Sequence, residues 1–438
     1  MTITVIVWSY ISWYKETYVL LNGTLVLKSG VYRTLQRSIP ISNITTLDAH
    51  QNWLYRLLGI MKVSIQTSDS NEDADARLVI SSKKYEAFTS YIRQKSNLIR
   101  EEELTGNTTT ISIKGIFMLS ISSNLFWLGI PFVLTALQYI NKFTSQTSDE
   151  LDLTIEGTFE TFDELLHLFS SNIGQFLLDL ITVIGGCALL SWLLSVVLIM
   201  VRYHGWNVSR HENTIAINYG LFEKRKIQIL VTKIQSVRIK EQPLSRWFGY
   251  ASIWIDCVGY GGDFKTKILI PSLQKNELRP ILHRLLPEFQ IAEPKGEKRK
   301  RRAIIYSMLY PFGYLLLGMA VASMFVPELW FIVLLVAAIM LYRAFITSRS
   351  KWGIVNNQLV IVKAGLTTTS IFVLRKAIEA LIVTENRMQR QLGLRTLEVE
   401  IDEPSRTREY VIRGIEPNDS GEIMSWYKNG SQPTKLSL

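Results

Sequence analysis

The sequence predicts a multi-domain membrane protein in which α-helical transmembrane hairpins carry three small, mainly-β barrels, each with a C-terminal capping helix. Three observations predict this fold class. The chain of 438 residues is 47% hydrophobic and 20% charged, which is too apolar for an average soluble protein and too charged for a chain wholly within a bilayer. Four apolar runs are long enough to cross a bilayer. One set of motifs occurs three times outside these runs.

The N-terminal segment, residues 1–13, offers only about 12 apolar residues before Lys15, fewer than the roughly 20 that a span needs. We expect either a shortened transmembrane helix or an interfacial segment with Trp8 and Trp13 in an aromatic belt. The segment has neither a basic start nor a small-residue cleavage site, which argues against a cleaved signal peptide.

The apolar runs predict four transmembrane helices, because about 20 residues at a rise of 1.5 Å each cross the hydrocarbon core. These helices are expected at residues 116–140, 173–201, 303–326 and 329–346.

Charged residues at the ends of these runs predict their orientation, because Lys and Arg stay on the cytoplasmic side. The segment 141–172 carries seven carboxylates against one Lys, so we expect it to form an acidic extracytoplasmic loop. Two helical hairpins then leave three soluble domains on the cytoplasmic side of a multi-pass membrane protein. These domains are predicted at residues 14–110, 203–294 and 347–438.

A turn motif repeats in all three domains. The stretches LYRLLG, LSRWFG and MQRQLG each place an aliphatic residue, an Arg and a Gly at the same spacing. In each repeat an earlier Gly ends a strand-like run, and the Gly of the stretch follows that earlier Gly after 29, 29 and 28 residues. We interpret the second Gly as a residue with positive φ or a close backbone approach, and the aliphatic residue as a packing residue. The Arg is either a local pair or cap, or a contact to a partner or phosphate. The motif residues are Leu54, Arg56, Gly59, Leu244, Arg246, Gly249, Met388, Arg390 and Gly393.

Each repeat consists of short runs of alternating polarity followed by an amphipathic helical pattern. In the second repeat, IAINYG, ASIWIDC and FKTKILIP are strand-like and QKNELRPILHRLL is helical. Short strands closed by one helix describe a small antiparallel barrel or sandwich. The helix covers one open end and so protects a core that about 90 residues otherwise barely bury.

These units resemble the bacterial pleckstrin-homology-like domain of the second type, bPH2, through four motifs in order: aliphatic strand–Gly, Arg/Lys-x-Ile, Ile-x-x-aliphatic and Leu-x-Arg-x-aliphatic-Gly. Three such units beside paired spans resemble the YdbT-like bacterial membrane proteins over nearly the whole chain. The resemblance implies PH-like barrels, a bacterial cell-membrane location and a small partner membrane protein with one bPH2 domain. It also implies a link to cell-envelope stress and antimicrobial resistance. Two helices usually precede each domain in that family, and the first repeat here departs from this plan.

No catalytic, cofactor-binding or metal-binding residue is predicted. The five histidines are scattered without metal-ligand spacing, and the one glycine cluster, GYGGD at 259–263, is typical of a hairpin turn. The sequence contains no nucleophile elbow and no paired acid–base carboxylates in a plausible cleft, which disfavours an enzyme.

The formal net charge of +10 is concentrated at the membrane edges, which disfavours a nucleic-acid partner. The basic juxtamembrane linker, KGEKRKRR at residues 295–302, is either a topology signal or a contact to anionic lipid. Both interpretations remain open. The cations of this linker are Lys295, Lys298, Arg299, Lys300, Arg301 and Arg302.

We therefore expect a non-enzymatic integral membrane scaffold whose domains recognise proteins through loops and an exposed strand edge. Three tethered modules act together on a common partner because tethering raises their effective concentration. One alternative is a membrane protein that recognises anionic lipids. Another is an accessory subunit of a transporter or export system.

Overall fold

The structure is a computed structural model. It describes residues 8, 15–32, 34–67, 76–96, 108–122, 173–257, 266–292, 294, 299–310, 312–326, 330–401 and 408–428. The predicted acidic loop 141–172 and most of the predicted span 116–140 lie outside these residues.

The described chain forms two compact units. One unit contains residues 1–111, 205–219 and 223–438 and holds the β-sheets. The other contains residues 112–204 and 220–222. In this second unit, helix α3 (Ile113–Ser122) packs against helix α4 (Ile173–Arg202).

The three repeats share one order of elements: three strands, a 3₁₀ turn, a strand, a short helix, two strands and a longer helix. The strands of the first repeat are β1 (Thr17–Leu21), β2 (Thr24–Ser29), β3 (Leu35–Pro40), β4 (Ile44–Gln51), β5 (Ile60–Thr67) and β6 (Ala76–Ser81). A further strand, β7 (Thr108–Thr110), precedes the second repeat. The strands of the second repeat are β8 (Asn207–His211), β9 (Thr214–Tyr219), β10 (Lys224–Leu230), β11 (Ile234–Glu241), β12 (Tyr250–Cys257) and β13 (Thr266–Gln274). Those of the third are β14 (Lys351–Val355), β15 (Gln358–Lys363), β16 (Thr368–Leu374), β17 (Ile378–Thr384), β18 (Arg395–Ile401) and β19 (Arg408–Ile415).

The helices of the repeats have two lengths. The short ones are α1 (Trp53–Leu57), α5 (Pro243–Trp247) and α10 (Arg387–Leu392). The longer ones are α2 (Ser82–Ser96), α6 (Lys275–Leu285) and α11 (Pro417–Lys428). Helix α6 shows why these cap the barrels: its face formed by Leu278, Ile281, Leu282 and Leu285 is buried.

Strands of successive repeats join into continuous antiparallel sheets. The sheet orders are β1-β2-β3, then β6-β5-β4-β10-β9-β8-β7, then β13-β12-β11-β16-β15-β14, and finally β17-β18-β19. The prediction of mainly-β domains agrees with this result. The sheets are not confined to single repeats, because the second sheet of one repeat continues into the first sheet of the next through the pairs β4–β10 and β11–β16.

The Ile-x-x-aliphatic pairs of the sequence begin the strand that follows each 3₁₀ turn. Ile44 and Leu47 are 0% and 1% exposed, and Ile234 and Val237 are 1% and 0% exposed. Each pair therefore anchors the second sheet of its domain in the core, which explains why it recurs.

The helices after residue 300 only partly match the predicted spans. Helix α9 (Trp330–Arg349) is the one helix among the described residues that is long and apolar enough to cross a membrane by itself. The predicted span 303–326 is divided into α7 (Arg301–Leu309) and α8 (Phe312–Phe325), which pass the same test only as a pair bent by 49°. Pro311 lies between them in the sequence, and proline lacks the N–H that continues a helix.

Candidate functional site

The junction of the first and second repeats is a strand pair with a mixed apolar and charged face. Ile229 of β10 lies opposite Thr46 of β4, and Ile227 lies opposite Asp48. The Asp48 carboxylate is 3.7 Å from the Nε of Arg225, which lies two residues before Ile227 on β10. Backbone ladder bonds therefore hold this junction together, and an ion pair between its strands supports their register.

The junction of the second and third repeats has the same geometry. Phe372 of β16 lies opposite Val237 of β11, and Ile371 lies opposite Arg238. One repeat thus presents the edge of its second sheet, and the next repeat presents the edge of its first sheet. Because both junctions use equivalent strands, the pairing is a general property of these domains.

A buried polar cluster lies where the third domain covers the second. The Asp256 carboxylate accepts hydrogen bonds from Ser236 Oγ at 2.5 Å and from Tyr410 Oη at 2.8 Å, and it pairs with Arg238 Nη2 at 2.7 Å. Burial, and then the Asp256 carboxylate, raise the pKa of Tyr410, so its hydroxyl stays protonated and donates. Tyr410 belongs to β19 of the third domain and Asp256 to β12 of the second, so the cluster joins the two domains.

Each of the motif glycines follows the short helix of its repeat. Gly59, Gly249 and Gly393 have φ of 64°, 74° and 64°, a backbone region that favours glycine. The N-terminal ends of two of these helices are capped, since Asn52 accepts a hydrogen bond from Tyr55 N and Asn386 forms a capping box with Gln389.

The motif aliphatics do not lie in the β core. Leu54 and Leu244 are 43% and 44% exposed. Met388, at the same position of the third repeat, packs against Ala303 and Tyr306 of α7. In the third repeat, this position therefore contacts the juxtamembrane helix.

The motif arginines have different contacts in the three repeats. Arg246 donates from Nη1 to Thr368 Oγ1 at 3.0 Å, across the second junction. Arg390 donates to Glu385 within its own domain at 3.1 Å. Arg56 lies on the exposed surface of α1. A single shared binding role for the three arginines is not supported by this placement.

The described part of the basic linker lies against the third domain. Arg299 donates to the backbone carbonyls of Arg413 and Gly414, each at 2.9 Å, and Lys300 pairs with Glu416 at 2.6 Å. Arg301 and Arg302 are exposed at the start of α7, whereas Lys295 and Lys298 lie outside the described residues. Arg299 and Lys300, two of the residues predicted to contact lipid, therefore hold the linker against the third domain.

A cationic cavity of about 460 Å³ lies between the end of α9 and the third domain. Its lining includes Arg299, Lys351, Lys363 and Arg413, and no carboxylate is among the described residues that line it. Burial, followed by repulsion from Arg413 and Arg238, lowers the pKa of Lys363. An anion in this cavity would relieve that repulsion.

Two sheet edges of the kind that form the junctions have no strand partner among the described residues. One is β3, at the edge of the first sheet of the first repeat, and the other is β17, at the edge of the second sheet of the third repeat. In the order of elements of their repeats, they are equivalent to β10 and β4, respectively.

Comparisons with known proteins agree with the three-fold repeat. The family described as "Bacterial PH domain" matches residues 1–96, 169–288 and 312–431. The chain is 23% identical over 441 residues to the UPF0699 transmembrane protein YdbT of Bacillus subtilis (strain 168), across 96% of this chain and 86% of that protein. No solved structure matches the chain.

Proposed function

The chain belongs to the bacterial PH domain family, and from this premise we propose that it is a non-enzymatic scaffold of the bacterial cell membrane. Its PH-like domains bind a separate, small membrane protein that carries one bPH2 domain. The assembly acts in the response to cell-envelope stress or antimicrobial compounds, as the YdbT-like resemblance implies.

One observation carries the proposal: the domains associate with each other through their sheet edges. Within this chain two such junctions form, β4–β10 and β11–β16, and two edges remain of the kind that form a third. A domain that recognises its neighbour by strand addition recognises a similar domain on another chain by the same contacts.

A multi-pass topology with cytoplasmic domains belongs to the same proposal. Helix α9 and the bent pair α7–α8 supply apolar helices before the third domain. The cations of residues 295–302 and the acidic segment 141–172 support the orientation, since Lys and Arg stay on the cytoplasmic side.

Affinity purification of the full-length protein from native membranes in a mild detergent tests this function. We expect a second, smaller polypeptide that matches the bacterial PH domain family, identified by mass spectrometry, to co-purify in a fixed ratio. Recovery of this chain alone, under conditions in which it stays folded, would contradict the proposal.

A second candidate function, recognition of anionic lipid, is favoured by the cationic cavity beside α9. The cavity lies next to Ile346 and Thr347, near the C-terminal end of the apolar helix α9, which supports a role in binding a lipid phosphate. A cation near a membrane surface contributes about 1 kcal/mol to attraction of an anionic lipid.

We expect Lys363→Met to weaken retention of phosphatidylglycerol by the purified full-length protein by at least about fivefold, which corresponds to that energy per cation. The measurement is native mass spectrometry of the protein titrated with phosphatidylglycerol or, for comparison, phosphatidylcholine. Lys376→Met is the matched control, because Lys376 is an exposed lysine of the same domain. Equal retention of both lipids by the unsubstituted protein would exclude a specific head-group site.

A further inference from the structure

The unpaired strand β17 is equivalent to the two strands that form the junctions. In each repeat the second sheet begins with an irregular step, after Ile44, Ile234 and Ile378 in the three domains. This common register makes Ile382 of β17 the counterpart of Asp48 and Arg238. The edge that binds a following domain in the first two repeats therefore has no strand partner in the third, within the part of the chain that the structure describes.

The side chain of Ile382 on β17 is more exposed than its counterparts at the two paired junctions. Ile382 is 38% exposed, whereas the side chains of Asp48 and Arg238 at the paired junctions are 11% and 12% exposed. Leu381 and Val383, the neighbours of Ile382, pack against the core of their own domain. The exposed isoleucine thus lies on the other face of the sheet, the face that a following domain covers in the first two repeats.

Natural proteins protect open edges with lysine, proline or inward-pointing charge. The segment Ile378–Thr384, with the sequence IEALIVT, contains neither lysine nor proline. Apart from Glu379, beside the irregular step at the start of the strand, this edge carries no charge, which is typical of an edge that is covered in the working assembly.

The opposite edge of this same chain does not supply a matching strand. The residues that lie opposite Asp48 and Arg238 are Ile227 and Ile371. When the three repeats are aligned by the pairing of their second and third strands, the residue of β3 at this position is Arg37. A second copy of the chain would therefore place Arg37 opposite Ile382, where both existing junctions have isoleucine, and the strand that fits β17 belongs to a different polypeptide.

The charges around Ile382 indicate which types of residue the incoming strand carries beside the residue that lies opposite Ile382. Glu398 lies opposite Ile382, and Glu400 lies opposite Ala380, on the adjacent strand β18. Glu400 is the counterpart of Asp256, which accepts a hydrogen bond from the following domain. A complementary domain therefore presents hydrogen-bond donors or cations to this face, as β10 does with its sequence KRKIQIL.

We propose that the β17 edge binds, in antiparallel register, the first-sheet edge strand of a bPH2 domain on a separate polypeptide, with an aliphatic residue opposite Ile382 and cations beside it. This inference rests on the proposed scaffold function and names the surface that performs it. The third domain thereby continues the series of junctions beyond the end of its own chain.

Site-specific photo-cross-linking in native membranes tests the contact. A photoreactive amino acid at position 382 of the full-length protein is expected to cross-link to a second polypeptide that matches the bacterial PH domain family. The matched control position is Leu366, which is also an exposed aliphatic of the third domain, at 68%.

The second variant is Ile382→Lys, expected to lower co-purification of that polypeptide by at least about tenfold, because a lysine on an edge opposes strand addition. Leu366→Lys is expected to change it by less than about twofold.

The outcomes separate the inference from the function on which it rests. Loss of the partner with Ile382→Lys but not Leu366→Lys, at an unchanged melting temperature, supports the β17 contact. Retention of the partner by Ile382→Lys overturns the inference and leaves the scaffold function standing. A cross-link from position 382 only to another copy of this chain, shown with two differently tagged copies, overturns the choice of a separate polypeptide. Failure of the unsubstituted protein to co-purify with any bPH2 polypeptide overturns the proposed function itself.

Discussion

Asp256→Ala is expected to destabilise the junction between the second and third domains by about 3–5 kcal/mol, because it leaves a buried arginine without its counter-charge. The Asp256 side chain is 4% exposed and that of Arg238 is 12% exposed. Removal of the carboxylate also takes the acceptor from Ser236 and Tyr410. Ser236 Oγ and Tyr410 Oη are 3.1 Å apart and can still hydrogen-bond to each other, so the main cost is the unpaired charge of the buried arginine.

The measurement is the apparent melting temperature of the detergent-solubilised protein, followed by tryptophan fluorescence. Trp254 lies opposite Arg238 on the adjacent strand and so reports on this region. Tyr410→Phe is the matched control, because it removes one hydroxyl and keeps the Asp256–Arg238 pair, at a cost of about 1 kcal/mol. Equal shifts from the two substitutions would show that the charge pair contributes nothing to the junction.

Trp206→Ala is expected to unfold the second domain locally, at a cost of about 3–5 kcal/mol for a large aromatic removed from a core. Trp206 is 2% exposed and stacks on Tyr219 of β9 with 4.2 Å between ring centroids. Its Nε1 donates to the carbonyl of Leu269 on β13 at 3.0 Å. One side chain therefore ties the first sheet of the domain to the second.

Hydrogen–deuterium exchange of strands β9 and β13 measures this effect, because local opening exposes their amides without requiring the whole chain to unfold. Trp206→Phe is the control, since it keeps an aromatic ring against Tyr219 and loses only the hydrogen bond and part of the contact area, for about 1–2 kcal/mol. If exchange at both strands is unchanged in Trp206→Ala, the tryptophan does not hold the two sheets together.

The spacing of motifs predicted the three-fold repeat, and the family matches confirm it at residues 1–96, 169–288 and 312–431. The mainly-β character and the helix at the end of each repeat also follow from the sequence, because period-two alternation and amphipathic periodicity are local properties. The buried Ile44 and Ile234 show how directly those local patterns report the core. The multi-pass topology stays a prediction.

The candidate site was less accessible from the sequence. The motif predicts a packing role for Leu54 and Leu244, and both are exposed. Met388, at the same position of the third repeat, packs against helix α7, and a motif of six residues does not specify this difference. The Asp256–Tyr410 hydrogen bond was missed altogether. It joins residues 154 positions apart, and the positions equivalent to Tyr410 in the other domains carry no tyrosine, so no repeated pattern marks it.

Local sequence patterns predict the repeats, their strand-rich character with a closing helix, and the turns at Gly59, Gly249 and Gly393, whereas the short helix before each of these glycines is seen in the structure alone. Only the tertiary structure decided that strands from different repeats pair, as β4 does with β10 and β11 with β16. The physical reason is that strand pairing uses backbone N–H and C=O groups, which every residue except proline carries in full, so side-chain patterns do not specify which edge meets which. For the same reason, the sequence does not mark β17 as an edge that lacks a strand partner among the described residues.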